Sequence, residues 1–236
     1  MSEKTTQPRT KFDWAIYADA TFAGLSVLIP IPLVDLYFEW LFKRRMVRTI
    51  AKRNGRLLEK PILREINRGR FGCWPGCFVW PVMLVLEFLK RLYRTILYFL
   101  TVKSASDQLS LYWHRAFLLD YMVQRGDLDD LGTTHIANEA LLKVLGETMT
   151  SPLIQLAQQI IGSVSHIFRT IWGWVRRKKE DEIVVGTREQ MERSWADFSG
   201  YFEEIAVQYD THFAEIEAER LLLQNVATRH ESNISH

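Results

Sequence analysis

The chain has 236 residues, of which 47% are hydrophobic and 25% charged, and its net charge is only +2. That balance excludes a wholly disordered chain and a collagenous fibre, and two cysteines exclude a disulfide scaffold. Near neutrality also argues against a nucleic-acid binder, so no nucleic-acid partner is expected.

The neutrality is a cancellation. Between Lys43 and Arg70 there are eleven Lys/Arg against two Glu, and between Glu180 and His236 thirteen Asp/Glu against four Arg. A basic surface for an anionic partner follows, with an acidic end that faces solvent or the basic half. Cys73 and Cys77 stand four apart, which is neither the redox Cys-x-x-Cys spacing nor a four-ligand zinc set; they read as thiols among apolar neighbours. Residues 1–11 are polar and read as a disordered tail. They lack the charged and apolar regions of a secretory signal, which predicts a cytoplasmic or cytoplasm-facing protein.

In chain order, the first element is an apolar hairpin. Fifteen uncharged residues lie between Asp19 and Asp35. As a helix they would span roughly 22 Å, short of the ~30 Å hydrocarbon core of a bilayer. Pro30 and Pro32 forbid a straight helix there, so the pattern predicts helix 14–28, a tight turn, and helix 33–53 stopped by Asn54-Gly55. The second arm reads as amphipathic, with Leu33, Leu36, Tyr37, Trp40, Leu41, Val47 and Ile50 as its apolar stripe. Asp35, Glu39 and Lys43 lie on another face, the last two spaced for an ion pair. Arg44, Arg45, Arg48, Lys52 and Arg53 crowd the last turns, a candidate contact for anionic lipid headgroups.

A basic connector over 59–70 leads into sixteen uncharged residues, 71–86, and a helix expected to open near Pro81. Ser104-Ala105-Ser106-Asp107 fits a capping box and predicts a fresh helix ending before Gly126, with Trp113 and Leu119 in its stripe. An acidic loop and a short helix, 134–147, come next. After Ser151-Pro152 a third apolar helix ends in Trp172, Trp174 and then Arg176, Arg177, Lys178 and Lys179. Rings followed by cations suit a membrane interface, with the charge on the cytoplasmic side, and equally a soluble helix with a cationic end. Thr187-Arg188-Glu189-Gln190 reads as a second capping box, opening a long helix. Its seam is Met191, Trp195, Phe198, Phe202, Ile205, Tyr209, Ile216 and Leu223. Aromatic residues are bulky for a two-stranded coiled coil, so packing on this chain's own helices is the first reading. A protein partner or homodimer through 187–228 is the other.

The sequence carries no phosphate-binding loop, no dinucleotide fingerprint, no His-Glu-x-x-His and no Gly-x-Ser-x-Gly, and its six histidines have no ligand spacing. No catalytic residue, bound metal or cofactor is expected. Asp19, Asp35 and Glu87 border apolar runs and read as the points where those runs meet water.

The stretch Ala20-Thr21-Phe22-Ala23-Gly24, Ile29-Pro30-Ile31-Pro32, Asp35 and Met46 to Gly55 resembles the YcjF-type and EcsC-type helical domains of bacteria. The resemblance covers about 40 of the 236 residues. It implies a bacterial membrane-associated helical module and supplies no catalytic residue; the GTPase domains fused to some members have no counterpart motif here.

The expectation is therefore an all-α helical bundle. It has an interrupted apolar hairpin, two further strongly apolar helices and a long amphipathic C-terminal helix. Its parts are a tail (1–11), a membrane-associated helical domain (12–179) and a C-terminal helix (187–230) packing on that domain. The functional expectation is a non-enzymatic, membrane-associated scaffold or envelope adaptor, its basic segments and C-terminus toward the cytoplasm. The alternative is a soluble helical interaction protein whose apolar helices are core.

Overall fold

The computed structural model describes residues 7–9, 11–29, 34–67, 94–148, 151–163 and 182–234. The expected turn at Pro30 and Pro32, the cysteines, the start of the helix after Pro81 and the 172–179 aromatic-cationic run lie outside them. Among the described residues every regular element is helical. They are α1 (Trp14–Leu25) with a 3-10 turn (Ser26–Leu28), α2 (Val34–Arg53), α3 (Lys60–Ile66), α4 (Arg94–Arg125), α5 (Leu131–Glu147) and α6 (Leu153–Ser163). Then come α7 (Glu182–Trp195), a 3-10 turn (Ala196–Phe198) and α8 (Ser199–Ile234).

The two arms form as the apolar pattern requires. Asp13 caps α1, its carboxylate accepting the Ala15 N–H at 3.0 Å. Helix α2 ends in a Schellman motif: Gly55 takes φ +70°, its N–H reaches the Lys52 carbonyl at 3.0 Å, and the Arg56 N–H reaches the Ala51 carbonyl at 2.9 Å. The two arms pack on each other, and α1 also lies along α4. That approach is close. A Cβ added at Gly24 would stand 2.5 Å from the Leu109 Cα, so only glycine lets the two backbones meet there.

Helix α4 is the central post. Leu109, Trp113, Ala116, Leu118, Leu119 and Met122 are all completely buried. Trp113 donates to the Thr21 hydroxyl of α1 at 3.0 Å. The buried Arg115 guanidinium donates to the Ile66 carbonyl at 2.7 Å, satisfying the C-terminus of α3. Two capping-box readings fail against these elements. Ser104 to Asp107 lie inside α4, with Ala105 and Ser106 buried, so one helix runs through where a break was expected. Thr187 lies inside α7, which opens at Glu182, and is buried. Such a pattern caps a helix only where the preceding backbone is non-helical, and in both places the helix already runs before it. The true cap of α5 is Asp130, which accepts from the Thr133 N–H at 2.9 Å.

The C-terminal seam is packed inward. Trp195 lies 4.2 Å from the Tyr17 ring, 4.6 Å from Phe202 and 5.2 Å from Phe12, centroid to centroid. Phe202 meets Phe117 at 4.7 Å, and Tyr209 meets Tyr121 at 5.9 Å. Helix α8 packs on α5 as well as α4. The seam passes through Phe213 and Ile216, both buried, rather than on to Leu223, which is 64% exposed. Trp113 reaches α1, where the Thr21 hydroxyl it bonds also lies 3.6 Å from the Met191 sulfur of this seam.

Candidate functional site

Residue by residue, α2 separates into two stripes at four-residue spacing. Phe38, Phe42, Met46 and Ile50 are buried against α1 and the core. Leu36, Tyr37 and Trp40, read from the sequence as part of one apolar stripe with Val47 and Ile50, are 58%, 55% and 52% exposed. Both stripes are apolar and share one helix, so spacing alone cannot decide which is covered. The rings of Phe38 and Phe42 pack into the gap beside Phe22, 5.6 Å from Phe42, and the other stripe is left outside.

The exposed stripe runs on into cations. Leu36, Trp40, Arg44, Arg48 and Lys52 follow one another at four-residue steps, a band roughly 24 Å long on a helix of 1.5 Å rise. Arg44 lays its guanidinium over the Trp40 ring at 4.7 Å. Arg48 and Lys52 are exposed and make no ion pair among the described residues. Beside the band, Lys43 pairs with Glu39 at 2.7 Å, as the spacing predicts, and the Tyr112 hydroxyl donates to the same carboxylate at 2.5 Å. Asp35 sits half-buried in the first turn and accepts from the Leu36 N–H at 2.8 Å.

The five α2 cations therefore divide. Arg45 turns back to α1 and lies 3.3 Å from the Asp19 carboxylate, which also accepts from the Thr49 hydroxyl at 2.9 Å. Arg53 pairs with Asp13 at 2.6 Å. Asp19 is only 2% exposed, so it does not mark a point where the apolar run meets water; it is a buried carboxylate held by its α2 partners. Arg44, Arg48 and Lys52 remain outward. Arg176, Arg177, Lys178 and Lys179 lie outside the described residues.

Three further polar clusters were not legible in the sequence, because each joins residues far apart in the chain. Asp120 accepts from the Asn54 amide at 2.7 Å and lies 3.6 Å from Arg9; burial pushes its carboxyl above the usual range. Asp127 accepts from the Tyr209 hydroxyl at 2.8 Å and pairs with Arg125 at 3.2 Å. Its pKa is likewise raised by burial. His114 is fully buried: Nδ1 faces the Ser110 carbonyl at 2.7 Å, and Nε2 faces the Tyr201 hydroxyl at 2.7 Å and Ser151 Oγ at 3.3 Å. Burial lowers its pKa to about 4, so the ring is neutral and Nε2 accepts.

The His114 and Ser151 pair invites comparison with nucleophilic catalysis, but the geometry is that of a structural tie. Ser151 Oγ also accepts the Leu153 N–H at 3.1 Å, capping α6, and neither side chain opens to solvent. The network fastens α4, α6 and α8 together. A cleft of about 470 Å³ opens where the chain before α1 meets the end of α2, lined by Arg9, Lys11, Asp13, Arg53, Arg188 and Glu192. Within it the Asp13 carboxylate lies 3.9 Å from Arg9 and 2.6 Å from Arg53. Among the described residues no group of His, Cys, Asp and Glu is placed to hold a metal ion.

No family model, curated protein or solved structure matches the chain. Among the described residues, no helix is long and apolar enough to cross a membrane.

Proposed function

We propose that this protein is a non-enzymatic, membrane-associated helical scaffold or adaptor that binds the surface of an anionic bilayer through the outer face of α2. The observation that carries the reading is the exposed Leu36, Tyr37 and Trp40 continuing along one helix into Arg44, Arg48 and Lys52. A folded chain that leaves three large apolar side chains side by side in water needs a reason for doing so. Tyr and Trp are at home at headgroup depth, and neighbouring cations meet the lipid charge. Each Lys or Arg near an anionic surface adds roughly 1 kcal/mol, within a Debye length of about 8–10 Å. The face suits a helix lying in the interfacial plane, and the cytoplasmic leaflet supplies the negative potential. The resemblance to YcjF-type and EcsC-type domains points the same way and belongs to this proposal.

Co-sedimentation of the full chain with vesicles tests it. The protein should pellet with vesicles containing phosphatidylserine and much less with pure phosphatidylcholine, and added salt should release it. A chain that stays in the supernatant with both vesicle types would favour the other reading, a soluble interaction protein that uses the same face for a protein partner.

A further inference from the structure

The cleft beside the start of α1 is built from three separate parts of the chain. The segment before α1 gives Arg9, Lys11 and Asp13, the end of α2 gives Arg53, and α7 gives Arg188 and Glu192 one turn apart. Its volume of about 470 Å³ lies in the range of small-molecule sites. Four cations line it against two carboxylates, an excess of two positive charges.

Several of these groups are fixed before any ligand arrives. Phe12 stacks on Tyr17 at 5.8 Å and meets Trp195 at 5.2 Å, which pins the segment that carries Arg9 and Lys11. Arg9 donates to the Asn54 side-chain oxygen at 3.0 Å and lies 3.6 Å from the buried Asp120, which does not line the cleft. Arg53 uses only its Nε on Asp13, at 2.6 Å; its two terminal nitrogens have no partner among the described residues. Asp13 is itself committed, one oxygen to the Ala15 N–H and the other to Arg53. Lys11 and Glu192 are exposed, and neither makes an ion pair among the described residues.

Forked guanidinium N–H groups, with an ammonium lining the same cleft, are the donors that phosphate oxygens match. A phosphate monoester carries about −1.5 to −2 at neutral pH, which suits an excess of two positive charges. A carboxylate or a phosphate diester brings only one negative charge.

We infer that this cleft binds a phosphate monoester, held by the terminal nitrogens of Arg53 and the ammonium of Lys11, with Glu192 opposing it. The ester is a soluble metabolite or a bilayer headgroup such as that of phosphatidic acid; the chemistry recognised is the same. The inference does not rest on the outer face of α2.

Two measurements on the full chain at low salt test it. One is isothermal titration calorimetry with glycerol 3-phosphate. The other is co-sedimentation with phosphatidylcholine vesicles carrying phosphatidic acid or phosphatidylserine at equal charge. Lys11→Glu and Glu192→Gln change exposed side chains, so the helical spectrum should be unchanged. Lys11→Glu should weaken binding of the monoester by roughly tenfold, and Glu192→Gln should tighten it by about threefold. That pattern with glycerol 3-phosphate supports a soluble ester as ligand; the same pattern with phosphatidic acid vesicles alone supports the headgroup. The inference is overturned if neither probe binds, if Lys11→Glu binds like the wild type, or if Glu192→Gln does not tighten binding. It is also overturned if Lys11→Glu costs as much with phosphatidylserine as with phosphatidic acid. A chain that binds glycerol 3-phosphate but no phosphatidylserine vesicle keeps the cleft and loses the α2 contact, and the converse loses the cleft alone.

Discussion

Trp195→Ala tests the packing of the C-terminal helix most sharply. Trp195 is 2% exposed and stacks within 4.2 to 5.2 Å of Tyr17, Phe202 and Phe12. It stands at the end of α7, just before the 3-10 turn, so it ties both C-terminal helices to α1. Truncating a buried tryptophan costs about 3–5 kcal/mol, the transfer term plus the cavity left behind. One refinement comes from the indole N–H, which is buried with no hydrogen-bond partner among the described residues. Such a group carries a desolvation cost of about 1–3 kcal/mol. Trp195→Phe keeps a ring in the stack and removes that cost, so it should lose far less than Trp195→Ala. Urea unfolding followed by circular dichroism would read both. With a urea slope of roughly 2–3 kcal/mol/M for a chain of this size, Trp195→Ala should lower the midpoint by about 1–2 M at an unchanged slope. A loss under about 1 kcal/mol, or equal losses for Ala and Phe, would refute the packing described for this seam.

Other consequences follow from single contacts. Gly24→Ala puts a methyl 2.5 Å from the Leu109 Cα, so α1 and α4 must separate; a loss of at least about 1–3 kcal/mol in the same urea assay is expected, and a neutral result would contradict the close approach. His114, held neutral by burial, should contribute a stability that declines as pH falls from about 6.5 toward 4, by about 3 kcal/mol in all, since the unfolded chain takes up the proton first. His114→Gln should remove that part of the acid dependence, and an identical pH profile would argue against a buried neutral ring. His212 has the opposite sign: its hydrogen bond to Glu147, with Glu215 on its other nitrogen, raises its pKa. The stabilisation is full below about pH 6.5 and fades as pH rises through the elevated value; His212→Gln should flatten that alkaline side, measured as melting temperature against pH.

Much of the fold was legible because it rests on local chemistry. Asn54-Gly55 ended α2 where the left-handed residue was needed, and the aromatic seam from Met191 to Tyr209 announced a buried face. What failed depended on neighbours distant in the chain. Ser104 and Thr187 carry good capping patterns, yet each lies within a helix whose preceding turn is already formed. Leu36 and Trp40 keep the same spacing as Phe38 and Phe42, and only the position of α1 and α4 decides which pair is covered. Asp19 is buried because Arg45 and Thr49 arrive from the other arm to hold it. The candidate site was legible as a cluster of cations. Its division into paired and outward members was not, because Asp13 and Asp19 sit about 30 to 40 residues earlier in the chain.

That division gives the most direct test of the proposed bilayer contact. Vesicle binding would be titrated for the wild type, for the triple variant Arg44→Gln, Arg48→Gln, Lys52→Gln, and for Arg53→Gln alone. The outward three at roughly 1 kcal/mol each should cost on the order of 100-fold in affinity for phosphatidylserine vesicles and flatten the salt dependence. Arg53, already neutralised by Asp13 at 2.6 Å, should matter little. Unchanged binding in the triple variant, or an equal loss from Arg53→Gln, would contradict a membrane contact through the outer face of α2.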